Sequence, residues 1–126
     1  MSTVHANTPR DAFSRLQAMV LMADLEIPTR VVLQQLASAI RIVVQVARLS
    51  DGTRKIVSIA EVLGVRDDHV DLQEIFLFER IGVNDAGKVQ GRFRGAGSRP
   101  GVLDRLRVSG ITLSPAVFDE TLDVNL

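Results

Sequence analysis

At 126 residues, with 46% apolar and 24% charged side chains, the chain is long enough to bury one core and too apolar to remain disordered. Fifteen basic residues balance fifteen acidic ones, so no overall field draws the chain to nucleic acid or to an anionic membrane. The absence of cysteine excludes disulfides and thiolate metal sites, and the lack of Trp and Tyr beside five Phe argues against a base-stacking single-strand binder.

No apolar run approaches the ~20 residues of a membrane-spanning helix, and Met1–Arg10 has no apolar stretch like that of a signal peptide. The lack of cysteine is compatible with a cytoplasmic setting.

The first element in chain order is a helix. Thr8 is placed to cap it, Pro9 fits the first helical position, and Asp11 stands three residues after the cap. Phe13, Leu16, Val20 and Ala23 follow at helical spacing. Pro28 opens a second helix with Val32, Leu33, Leu36 and Ile40 on its apolar face. Ile42–Leu49 is β-branched and mostly apolar on both faces, so a strand buried on both sides is expected there. Ser50–Thr53 reads as a turn and Lys55–Val62 as the return strand of a hairpin.

Gly64–Asp68 reads as another turn, followed by extended segments at Val70–Leu72 and Glu74–Glu79. After the tight turn at Asn84–Gly87, Lys88–Arg94 alternates, with Val89 and Phe93 on one face. A loop from Gly95 to Gly101 leads to a short helix over 102–109, stopped by Gly110. Ser114–Pro115 starts a last turn through Phe118, and the acidic tail from Asp119 to Leu126 is expected to fray.

His5 is the side chain with the clearest chemical potential. It stands just before a helix N-terminus, where outward-pointing backbone N–H groups favour an anion. A histidine there can hydrogen-bond a phosphate oxygen, or it can belong to a plain N-terminal tail. Gly95–Gly101 lies between a strand and a helix, but its third glycine falls one residue late for a dinucleotide fingerprint and Pro100 removes an N–H donor. No phosphate-loop pattern G-x-x-x-x-G-K-[ST] occurs anywhere in the chain.

From Lys88 to Arg107 there are six basic residues against one acid, Asp104, which marks a solvated face, a docking patch for a neighbouring subunit or platform protein, or, third and without aromatic interleaving, a nucleic-acid patch. His69 has no second ligand at metal spacing. The cluster Asp67, Asp68 and Asp71 lacks the order of an EF-hand, and Asp11, Asp24 and Glu26 lack an evident partner.

The run Thr3-Val4-His5-Ala6-Asn7-Thr8-Pro9-Arg10-Asp11-Ala12 resembles the His box of secretion-superfamily motor ATPases of the Tad/CpaF branch. The likeness continues through Ser14–Gln17, Met19–Ala23, Gln35–Ala39, Arg48–Arg54, Ile59–Gly64, Gly91–Gly97 and Leu103–Leu106, covering nearly the whole chain. It implies an α/β fold: the C-terminal half of a RecA-like core in residues 1–80, with two helices and mainly antiparallel strands, and a hairpin and short-helix appendage in 81–126.

It further implies that His5 is the γ-phosphate sensor and Asn7 its neighbour at the nucleotide, with ATP and Mg²⁺ as cofactors of the complete enzyme. The implied partners are like subunits of a hexameric ring and inner-membrane platform proteins, and the implied location is cytoplasmic and peripheral to that membrane. The phosphate loop and the acidic Mg²⁺ motif lie upstream of the His box in family order and are absent here. The chain is therefore expected to be a segment starting at an internal methionine, from a truncated gene, an internal start or a misassigned start codon. It is expected to be inactive alone, with an interaction or regulatory module as a second reading and an unrelated small α+β binding domain, its His-box match a coincidence, as a third.

Overall fold

The computed structural model describes residues 1–23 and 26–124. Asp24, whose carboxylate the sequence left without a partner, lies outside the described residues, as do the tail residues Asn125 and Leu126. Helices α1 (Pro9–Met22) and α2 (Thr29–Ala39) precede strands β1 (Ile42–Arg48), β2 (Arg54–Arg66), β3 (His69–Val83) and β4 (Val89–Gly95). Helix α3 (Val102–Val108), a 3-10 turn (Pro115–Phe118) and strand β5 (Thr121–Val124) complete the order.

The class is mixed α/β with antiparallel strands. The sheet runs β1-β2-β3-β4-β5, and every pairing among the described residues is antiparallel. The parallel sheet on which RecA-like cores are built has no counterpart among the described residues. The physical reason is the short loops between the first four strands: parallel neighbours need a crossover of a dozen or more residues. Residue 80 lies inside β3, and the same sheet continues through β4 and β5.

Helix α1 starts as its sequence indicates. Thr8 Oγ1 accepts the Asp11 N–H at 3.1 Å, and Pro9 occupies the first turn. Phe13 and Leu33 meet Val70 beneath the two helices, and Val43, Val62 and Leu72 pack around them. The register puts Gln45, Ser58, Leu77 and Arg94 in one row on this helix-covered face, and Val44, Ile59, Phe76 and Gly95 in the next row on the other. On that second face Phe76 stacks on Phe93 and Phe118 at 5.6 and 5.7 Å.

Three expectations are corrected. First, β1 is not buried on both faces: Ile42, Val44 and Val46 are exposed, because no element among the described residues covers the face they share. An apolar run on a strand does not reveal whether a neighbour exists.

Second, Gly64 is not in a turn. β2 runs on to Arg66, the register slips between Val62 and Gly64, and Gly64 has φ of 145°, as a bulge residue does. The reversal is the tight pair Asp67–Asp68, both at positive φ, where a short carboxylate side chain is tolerated.

Third, the tail does not fray through Val124. Thr121–Val124 pairs with Gly91–Arg94 and covers the outer edge of β4.

The β1–β2 turn is tied across the sheet to β4. Asp51 Oδ1 accepts from the Thr53 N–H at 2.9 Å and the Thr53 hydroxyl at 2.6 Å, while Oδ2 accepts the Val89 N–H at 2.7 Å. These bonds, the Thr53 hydroxyl first, and then the Lys55 charge hold the Asp51 carboxyl far below the usual carboxylate range. A depressed folded pKa contributes stability that is complete above the unfolded value of about 4 and is lost as pH falls toward the lower folded value. Asp51→Asn is expected to flatten the acid limb of a stability-against-pH curve below about pH 4, as read by urea unfolding. An unchanged acid limb would contradict this account of the turn.

Candidate functional site

The residues expected at the nucleotide come first. His5 and Asn7 are exposed in the extended segment before α1, and among the described residues neither side chain has a hydrogen-bond partner. The segment itself is anchored: Gln45 Nε2, on the helix-covered face of β1, donates to the Ala6 carbonyl at 2.9 Å. Together with the Thr8 cap, this bond fixes the chain on both sides of Asn7. His5 is exposed one residue before the bonded Ala6 carbonyl.

Beside this segment is an open cleft of about 610 Å³ between the first turn of α1 and the sheet. Thr8, Pro9 and Arg10 form one wall, and Ser58, Glu74 and Arg94 contribute from the strands. Ser58 is buried, and its Oγ has no hydrogen-bond partner. His5 and Asn7 do not line this cleft. Arg10 and Arg94 bring positive charge to it, partly offset by Glu74.

The glycine-rich loop is engaged with the chain itself. The Ala96 N–H donates to the Ile75 carbonyl at 2.8 Å, Gly97 N–H to Phe118 O at 3.0 Å, and Gly101 N–H to Glu61 Oε2 at 2.9 Å. A Cβ on Gly95 would lie 2.0 Å from Phe118 O, so this glycine is needed for close backbone approach. Loop amides already bonded in this way cannot also cradle a phosphate.

A second cleft, of about 640 Å³, opens at the end of β2 beside α3. Its central group is Glu61, which sequence reading did not single out. Glu61 is buried, and its two carboxylate oxygens accept the Gly101 and Val102 N–H groups, each at 2.9 Å. The carboxylate therefore caps α3 from a strand some forty residues earlier, as the two bonds span 40 and 41 positions. At the other end, Gly110 adopts φ of 80°, with Ile111 N–H bonded to Leu106 O and Gly110 N–H to Arg107 O.

No local pattern reveals a cap delivered from a distant strand. The only signal was a glutamate inside the otherwise apolar stretch of β2.

The six basic residues between Lys88 and Arg107 do not form one patch. Arg92 approaches Glu79 at 3.8 Å, Arg107 approaches Asp104 at 3.9 Å, and Arg99 makes a two-pronged contact with Asp119 at 2.7 and 3.3 Å. That contact lowers the pKa of Asp119 and raises that of Arg99. Arg94 lines the first cleft and Arg105 the second, where Arg41 from the start of β1 joins it.

His69 sits exposed at the start of β3. No group of three or more His, Asp or Glu side chains suited to a metal ion occurs among the described residues. No helix among them is long and apolar enough to cross a membrane.

The architecture that results is a five-stranded antiparallel meander with two helices on one face, an exposed histidine ahead of the first helix, and two open clefts. No family model matches the chain, and no curated protein matches it.

Proposed function

We propose that the chain is a His-box segment of a Tad/CpaF-type secretion or pilus-assembly motor ATPase, supplying the γ-phosphate sensor and subunit contacts to an assembled ring. The observation that carries the reading is the segment Thr3–Ala12, in which the resemblance places His5 as the sensor and the tethered backbone holds that imidazole exposed ahead of the α1 N-terminus. On this reading residues 1–80 belong to the late part of a RecA-like motor domain. Residues 81–126 form the appendage, which the sheet enters without a break within β3. ATP and Mg²⁺ act at the assembled motor, with Asn7 next to His5 at the nucleotide. The ring works at the cytoplasmic side of the inner membrane against platform proteins.

The chain alone has no phosphate loop, and the Ala96, Gly97 and Gly101 amides of its glycine-rich loop are already bonded within the chain. Isothermal calorimetry of the isolated protein with MgATP is expected to show no binding, and a micromolar dissociation constant would refute that point. The motor reading itself is tested by reconstitution with a polypeptide of this branch carrying the phosphate loop and acidic motif. ATP turnover is expected in the mixture and is expected to fall at least about tenfold with His5→Ala, the scale of losing one charge-stabilising contact in the transition state. A silent mixture, or turnover indifferent to His5, overturns it.

A second reading, a non-enzymatic module that regulates or completes a full-length motor, is favoured by one observation. The unpaired edge of β1 carries Ile42, Val44 and Val46 exposed, with Ile56 opposite Val46 also exposed. Light scattering behind size exclusion bears on it: a strict monomer that does not associate with a full-length motor weakens this reading.

A further inference from the structure

The second cleft combines features that the nucleotide-sensing segment does not use. Arg41, just before β1, and Arg105, on α3, both line it and are exposed, and neither guanidinium has an acid partner among the described residues. Arg99 sits on the same rim with its guanidinium held by Asp119, and is thus oriented rather than mobile. Glu61 is the acid in the cleft lining, and both its oxygens are taken by the amides that start α3.

The negative charge in the cleft is therefore spent on a helix terminus, while two positive charges face solvent. The same lining includes Leu63, 56% exposed, and the half-buried Val102.

We propose that this cleft docks an acidic peptide segment of a partner protein, with carboxylates on Arg41 and Arg105 and an aliphatic side chain on Leu63 and Val102. Charge complementarity selects the occupant. Guanidiniums bind carboxylates through paired, directional N–H donors, and the apolar Leu63 and Val102 of the lining take a side chain that a bare phosphate lacks. Nucleic acid fits less well, because no aromatic side chain lines the cleft to stack a base. The proposal stands on this geometry alone, so it does not require that the chain belong to a motor.

The test is fluorescence anisotropy on the full chain with a labelled peptide, Gly-Ser-Leu-Asp-Glu-Leu-Asp-Gly, and with its Asn/Gln counterpart as the neutral control. Saturable binding is expected for the acidic peptide and none for the control. Arg41→Glu and Arg105→Glu are each expected to weaken binding about tenfold or more. Arg94→Glu, the same charge change in the other cleft, is expected to weaken it less than about twofold at physiological salt, where the screening length is about 8 Å. Arg105→Gln, which removes the charge without reversing it, is expected to fall between.

Circular dichroism confirms that each variant folds. An equal loss in Arg94→Glu, equal binding of the neutral peptide, or tighter competition by anionic vesicles or a single-stranded oligonucleotide through the same two arginines overturns the proposal. Since no nucleotide enters the assay, its failure leaves the nucleotide-sensing reading intact, and its success does not support that reading.

Discussion

Phe13→Ala is expected to destabilise the protein by about 3–5 kcal/mol, read as a fall in the urea midpoint with little change in slope. Phe13 is 3% exposed and joins the first helix to Leu33 of the second and Val70 of the sheet, so truncation opens a cavity where three elements meet. The loss is large against a typical domain stability of about 5–15 kcal/mol. Phe13→Leu keeps most of the volume and is expected to cost less than about 1.5 kcal/mol.

The same substitution carries a functional consequence. Helix α1 begins at the Thr8 cap, so loosening its packing frees the backbone that presents His5. Amide exchange in residues 9–16 is expected to accelerate more in Phe13→Ala than exchange in β3. A variant as stable as the parent would show that the helices do not contribute the main core.

Gly95→Ala is expected to be nearly as damaging, by about 3 kcal/mol or more, although it adds a single methyl group. The new Cβ would lie 2.0 Å from the Phe118 carbonyl oxygen and 2.4 Å from its carbon, and both are backbone atoms that cannot rotate away. Relief requires β4 and the 3-10 turn to separate. That separation breaks the Gly95 N–H bond to Glu120 O and the Gly97 N–H bond to Phe118 O, both 3.0 Å, and it also unstacks Phe118 from Phe76.

Thermal unfolding monitored by circular dichroism is the measurement. Gly97→Ala makes a useful contrast. It is strained by a φ of 76° but has only the Asp119 side chain within reach at 3.9 Å, and it is expected to cost about 1 kcal/mol. A Gly95 variant no worse than the Gly97 one would mean that the β4–turn contact is not tight in solution.

Local pattern was enough for the local elements. The Thr8–Pro9 start of α1, the Gly110 stop of α3 and the Ser114 cap of the 3-10 turn all depend on neighbours within a few residues, and their donors and acceptors are where the sequence puts them. The alternation of β4 was legible for the same reason, since Val89 and Phe93 turn to one side simply because a strand has a period of two.

Long-range partners were not legible. The burial of β1 depended on whether another layer covered its outer face, and Ile42–Val46 read the same either way. The tail gained order only because β4 offered it an unpaired edge. Glu61 became a helix cap, and Arg41 the neighbour of Arg105, through a fold that brings positions some forty or more residues apart together. Chain-local chemistry is encoded at short separation, where few conformations compete. Pairing at long separation is decided by packing and by which backbone groups remain unsatisfied, and those appear only once the whole sheet has formed.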